Sequence, residues 1–233
     1  MIRVENSFRI FSGFNIIASF SGGEKNLGLD YMEGVKNRKE FLDFLGLNYE
    51  NLVSAGQVHG KNISFAGISQ KGKVIANTDA LITNVKNIIL SVFTADCLPI
   101  FIYDRKNNAL GLVHAGWRGS RQLIVVDTIT RMAKNFNTKT EDLFCAFGPA
   151  IGACCYQVGD EFRDYFDDGL SIRGNKPYLD LAYLNKKQLF SLGLKDKQIE
   201  DVGICTCCNE ENFFSYRREG KNTGRTMSVM MLK

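Results

Sequence analysis

Between Leu52 and His114 the chain passes through six short apolar runs, at 52–58, 63–66, 80–83, 88–94, 100–103 and 109–114. Their brevity and their Val, Ile and Phe content suit strands, and Asp104 to Asn108 has the turn chemistry of a hairpin. This segment predicts antiparallel hairpins, and helical patterns on either side of it make the whole a continuous α+β chain. Residues 33–45 place Val35, Phe41, Leu42 and Leu45 at helical spacing among charges, with Gly46 as a stop. Ser120 suits the N-cap of a helix through Lys134. Further on, 143–147 reads as a buried strand, 159–166 and 181–192 as helices, and 227–232 as a last strand inside the sheet.

With 233 residues, 45% of them hydrophobic, and with no linker or repeat, residues 1–233 are expected to close around a core as one domain. No apolar run approaches a membrane span. The opening Met1-Ile2-Arg3-Val4-Glu5 lacks the layout of a signal peptide, so a cytoplasmic protein is expected. Seven cysteines cannot all pair within one chain, and reduced thiols explain the odd number most simply. A net charge of +4, from 29 Lys and Arg against 25 Asp and Glu mixed along the sequence, fits an anionic small ligand better than nucleic acid.

Only two histidines occur, in Gln57-Val58-His59-Gly60 and Val113-His114-Ala115-Gly116-Trp117-Arg118-Gly119, with Thr94-Ala95-Asp96-Cys97-Leu98-Pro99 between them. Two neutral imidazoles and a thiolate make three good zinc donors, and three protein ligands leave the open position of a catalytic metal. An arbitrary histidine or cysteine is more often a buried structural residue. Here Gly60, Gly116 and Gly119 clear space for close backbone approach, which favours a site. Arg118 offers a bidentate donor for phosphate or carboxylate and Trp117 a flat face, although a plain surface arginine is an equal reading. A helix starting after Gly119 would add free amides suited to an anion.

Asp96 adjoins Cys97. On an extended strand its side chain would point the other way, which suits an orienting group better than a general base. Asp79 is the other carboxylate to consider, with a turn cap as its duller reading. Arg217, within Phe213-Phe214-Ser215-Tyr216-Arg217-Arg218-Glu219, belongs to an anion-binding edge or a solvated turn. The run Gly148 to Tyr156 is either a glycine-lined wall or a structural turn. Cys205-Thr206-Cys207-Cys208 suggests a zinc knuckle, but no matching pair sits nearby at finger spacing, and the structural reading is preferred.

The blocks QVHG (57–60), TADCLPI (94–100), VHAGWRG (113–119), GPAIGACCYQVG (148–159) and CTCCNEENFFSYRREGKNTGRT (205–226) occur in order across nearly the whole chain. In them the sequence resembles the YfiH/laccase-domain-containing, polyphenol oxidase-like family of purine nucleoside phosphorylases. The resemblance implies one zinc ion on His59, Cys97 and His114, with copper a less favoured occupant. It implies phosphorolysis of adenosine, inosine, guanosine and methylthioadenosine with some adenosine deamination, so that the partners are a nucleoside and phosphate. The implied fold is α+β, with mixed, largely antiparallel sheets packed between helices, related to the cysteine hydrolase fold, in a monomer or small homo-oligomer. Asp96 and Arg118 join the three ligands as catalytic candidates, and Gln57, Asp79, Trp117 and Arg217 are candidates for substrate contact. One departure from the family is the compressed glycine-rich segment Ser21 to Leu29.

Three rivals use the same residues differently. A cysteine hydrolase or amidase would pair Cys97 with His114 without metal. Copper-dependent phenol oxidation needs more imidazoles than two. A non-enzymatic zinc or redox module would use Cys154, Cys155, Cys205, Cys207 and Cys208.

Overall fold

In the computed structural model, which describes residues 4–5 and 8–233, the strands sort into two six-stranded sheets and a small hairpin. The first sheet runs, in spatial order, β1 (Val4–Glu5), β2 (Ile16–Ser21), β14 (Thr226–Leu232), β7 (Ile89–Thr94), β3 (Leu52–Gly56) and β5 (Lys73–Ala76). The second runs β13 (Ile199–Asp201), β10 (Leu143–Phe147), β8 (Leu98–Asp104), β9 (Ala109–Ala115), β6 (Ala80–Thr83) and β4 (Ile63–Phe65). The hairpin pairs β11 (Leu170–Arg173) with β12 (Lys176–Leu179).

Alternation along the strands stacks these sheets into four layers. On β8, Phe101 and Tyr103 face the first sheet and join Val53, Leu90, Val92 and Met230 in the central core. Ile100 and Ile102 face the other way, under α3 (Ile124–Phe136) and α5 (Leu181–Ser191). The outer face of the first sheet buries Ile89, Phe93 and Val229 beneath Phe41 and Leu42 of α1 (Gly34–Phe44). Strands covered on both faces have no need of polar alternation, which is why β7, β8 and β9 are buried throughout. The fold is thus a single-domain α+β architecture with mixed sheets.

The expected hairpins are only partly present. β8 and β9 pair antiparallel through the turn at 104–108, where Asp104 Oδ1 accepts from the Lys106 and Asn107 N–H groups at 3.0 and 3.1 Å. From β3 to β8, however, successive strands alternate between the two sheets, so β3 pairs parallel with β5 and β7, and β4 parallel with β6. Sequence neighbours face each other across the core instead of sharing a ladder. The last strand, β14, does lie inside its sheet, between β2 and β7.

The helix expected from Ser120 starts earlier and is broken. α2 (Trp117–Arg121) follows Gly116, and the chain passes through Leu123 at φ 62° before α3 begins. Ser120 is buried inside α2 rather than capping it, and its Oγ accepts from Asn185 Nδ2 of α5 at 2.8 Å. The expected helix at 159–166 shortens to α4 (Phe162–Tyr165), while α5 is capped by Asp180, whose side chain accepts from Tyr183 N–H at 2.9 Å. A final short helix, α6 (Tyr216–Glu219), precedes β14. No helix among the described residues is long and apolar enough to cross a membrane.

Phe101 is fully buried at the centre, with its ring 4.7 Å from that of Phe8. Phe101→Ala should cost about 3–5 kcal/mol, read as a lower denaturant midpoint in urea with an unchanged slope.

Candidate active site

At one end of the sandwich β3, β7 and β9 finish and β8 begins, and their connections bring His59, Cys97 and His114 together. The ligand atoms of the three residues lie within 4.8 Å of one another. The imidazoles meet edge to face, with ring centroids 4.8 Å apart. His114 sits on β9 and is buried, Cys97 is half-buried just before β8, and His59 is exposed on the loop after β3.

One carboxylate holds this arrangement. Asp79, fully buried just before β6, accepts from His114 Nδ1 at 2.8 Å and from the backbone N–H groups of Val58, His59 and Gly60 at 3.3, 3.0 and 2.8 Å. His59 itself takes φ 58°, an unusual backbone conformation for a residue with a side chain, and these bonds fix it there. Because an ionised carboxylate only accepts, Nδ1 of His114 carries a proton, and Nε2 is the nitrogen left to a metal once its own proton is displaced. Gly116 completes the fit, since a Cβ there would stand 3.0 Å from Cys97 Sγ and 3.4 Å from His59 Cδ2.

The electrostatics follow from this packing. Burial pushes the Asp79 carboxyl up, but the hydrogen bonds from His114 and Gly60 bring it below the ordinary range. Burial also pushes the Cys97 thiol up, yet the charge and hydrogen bond of His114, then His59, lower it to about 6. Burial pushes His114 down, while the Cys97 thiolate and Asp79 raise it to about 9. The ensemble is a thiolate beside a protonated imidazole, and a divalent cation can replace that proton. One thiolate and two imidazoles, with a carboxylate behind one of them, fit the donor chemistry of zinc.

The other sequence candidates divide into two groups. Gln57, Asp96, Trp117, Arg118 and Arg217 line the same cavity of about 990 Å³ as the three ligands, whereas Asp79 lies behind it. Gln57 spends both ends of its amide on the Phe93 backbone, at 2.8 and 2.7 Å, extending the contact between β3 and β7. Asp96 is not on an extended strand. It bends at φ 88°, and its oxygens accept from Thr206 Oγ1 and Arg217 N–H, both at 2.7 Å. It ties the Cys97 loop to the segment before β14. Trp117 packs on Phe162 and Tyr165 and carries the Arg118 guanidinium 4.3 Å from its ring centroid, so its face holds an arginine. Arg217 reaches over Tyr156 at 5.4 Å.

Sequence reasoning passed over Asn26, Lys221 and Arg225, which also line the cavity. Asn26 Oδ1 accepts from Gly28 and Arg225 N–H at 2.9 Å each, and Arg38 Nη1 holds the Leu27 and Gly28 carbonyls at 2.9 and 2.7 Å. The compressed segment 21–29 therefore still reaches the site. Of the two arginines that hold it, Arg38 lies 10 residues beyond Gly28, while Arg225 lies 199 residues beyond Asn26.

The profile of the family described as multi-copper polyphenol oxidoreductase laccase matches residues 23–233. The chain belongs to that family. A protein of Bacteroides thetaiotaomicron named purine nucleoside phosphorylase is 36% identical over 199 residues, covering 78% of this chain and 74% of its own. A protein of an unknown prokaryotic organism named adenosine deaminase RL5 is 30% identical over 205 residues, covering 81% and 78%. The crystal structure of Bacillus licheniformis YfiH superposes with a TM-score of 0.89 at 28% identity, covering 94% of this chain and 93% of that one. The YfiH resemblance in the motif blocks is the family relationship.

Two substitutions test the assembly. Asp79→Asn keeps the size of the side chain but removes the charge behind His114, and it should weaken zinc binding about 10–100-fold in a chelator competition titration. Gly116→Ala should lower zinc affinity too, while the thermal midpoint of the metal-free protein stays within a few degrees of the parent.

Proposed function

We propose that this enzyme is a zinc-dependent purine nucleoside phosphorylase acting on adenosine, inosine, guanosine and methylthioadenosine, with adenosine deamination as a second activity of the same site. The observation that carries this reading is the meeting of the His59, Cys97 and His114 donors with Arg118, Arg217, Lys221 and Arg225 around one cavity. The names of the phosphorylase and deaminase relatives support it.

In phosphorolysis a phosphate oxygen bonds to the anomeric carbon of the ribose while the bond to the purine nitrogen breaks, and the departing base takes the electron pair and then a proton. Arg118 and Arg217 supply charge-assisted donors that hold phosphate beside the sugar. Tyr156 lines the cavity with its phenol pushed up by burial and by the Cys97 thiolate, so at neutral pH it keeps its proton and can donate to the leaving base. His59, Cys97 and His114 would hold zinc, which would supply Lewis-acid chemistry to the cavity. Asp79, bonded to His114, and Asp96, next to Cys97, already spend their oxygens on internal hydrogen bonds. Both are assigned as positioning residues.

Multicopper chemistry disagrees with the chain itself, which has two imidazoles in total. The relatives named phosphorylase and deaminase lend no support to the metal-free cysteine hydrolase reading.

The test is release of free base from inosine by zinc-loaded protein, followed by chromatography with and without phosphate. Phosphate-dependent release that disappears in Cys97→Ala is expected. Arg118→Ala should raise the phosphate KM about 10–100-fold, the scale of a lost charge-assisted hydrogen bond, with a smaller change in the nucleoside KM. Release that ignores phosphate, or no release with zinc bound, overturns the proposal.

A further inference from the structure

Cys154, Cys155, Cys205 and Cys208 lie outside the cavity, yet their sulfurs all fall within 4.8 Å of one another. Cys208 Sγ is 3.2 Å from Cys155 Sγ and 3.5 Å from Cys154 Sγ. Four sulfurs bound to one zinc at about 2.3 Å stand about 3.8 Å apart in a tetrahedron, so this cluster needs only small side-chain adjustments to close on an ion. Cys207, between two of them, is not part of the group.

Backbone geometry brings the sulfurs together. Cys154 and Cys155 would diverge on a strand, but they sit in a turn in which the Cys155 and Tyr156 N–H groups both donate to Gly152 O at 3.0 Å. Cys205 and Cys208 have C-x-x-C spacing, in a turn closed by Asn209 N–H on Cys205 O at 3.1 Å. The loops are joined by a parallel bridge between Ala150 and Cys205 and by Gly152 N–H on Cys205 Sγ at 3.2 Å. A Cβ at Gly152 would stand 3.2 Å from Cys154 Sγ and 3.4 Å from Cys205 Cβ, so glycine allows the loops to approach this closely.

The surroundings suit an anionic metal centre. Four thiolates around a divalent ion leave a net charge of −2, and three arginines reach the ligand loops. Arg173 donates to Cys154 O at 3.4 Å, Arg217 to Cys155 O at 3.4 Å, and Arg218 to Thr206 O and Cys207 O at 3.0 and 3.1 Å. Four sulfur donors fill every position of a tetrahedral ion, which marks a structural centre rather than a catalytic one.

We propose that Cys154, Cys155, Cys205 and Cys208 bind a second, structural zinc ion. It clamps the loop after β10 to the loop after β13 and so fixes the cavity wall that presents Ile151, Tyr156 and Arg217. This site stands whether or not the cavity is a phosphorylase, because its ligands are separate from His59, Cys97 and His114.

Zinc content of protein reconstituted under reducing conditions and freed of loose metal is the direct test. The parent should hold two zinc ions per chain, and His59→Ala/His114→Ala, which keeps every cysteine, should hold one. X-ray absorption on that variant should show a sulfur-only shell at about 2.3 Å. In the parent, Cys154→Ser/Cys208→Ser should lose one zinc, and zinc should protect the four ligand cysteines from alkylation while Cys207 stays reactive. A folded His59→Ala/His114→Ala variant without zinc, a nitrogen- or oxygen-containing shell in that variant, or a disulfide among the four in reduced protein overturns the proposal, whereas a parent holding one zinc that the histidine variant keeps speaks only against metal at His59, Cys97 and His114. The zinc count and the sulfur shell of the histidine variant decide the matter even if the serine variant does not fold.

Discussion

The site hangs on the side chain of Asp79. A buried carboxylate without partners would be expensive, so its lone pairs must be met, and they are met by the groups that need positioning: the His114 ring and the three amides of the His59 loop. Satisfying one charge thus sets two imidazoles, fixes the tautomer of one and stabilises an unfavourable backbone angle at the other. Asp96 repeats the device on the opposite wall, binding Thr206 and Arg217 to the Cys97 bend. Each carboxylate converts its need for solvation into the placement of a loop.

The reach of these bonds explains what could be read from the sequence and what could not. Donor chemistry alone selects His59, Cys97 and His114, because imidazole and thiolate are scarce and their glycine neighbours are conspicuous. The role of Asp79 is harder to read, since its partners lie 19 to 35 residues away, and those of Asp96 110 and 121 residues away. The pairing of the two cysteine clusters is hidden for the same reason: the partner of the C-x-x-C turn is an adjacent pair some 50 residues upstream, reached only because two loops run side by side.

The positions of β3, β4, β6 to β10 and β14 were legible, those of β1, β2, β5, β11, β12 and β13 were not, and neither were the partners. The runs at 80–83 and 143–147 match β6 and β10 because a two-sided core demands continuous apolar residues there. Nothing local distinguishes a strand that pairs with its neighbour from one that crosses to the other sheet, so β3 to β7 look like hairpin components. The break between α2 and α3 is equally non-local. Residues 117–134 have helical periodicity throughout, but Gln188 Nε2 of α5 takes the Ser120 carbonyl at 2.8 Å and Leu123 turns left-handed beside it.

The place of β14 gives the molecule an order of assembly. β14 follows the other described strands in the chain and lies between β2 and β7, so before it is made the first sheet can form only as two unjoined pieces with open ladder edges. Its insertion links segments separated by most of the chain, a high-contact-order step of the kind that slows folding. Arg225 immediately precedes it and lines the cavity. A nascent chain therefore completes its cavity wall and joins the two pieces of its first sheet in the same late event, and a partly made polypeptide does not present a finished site.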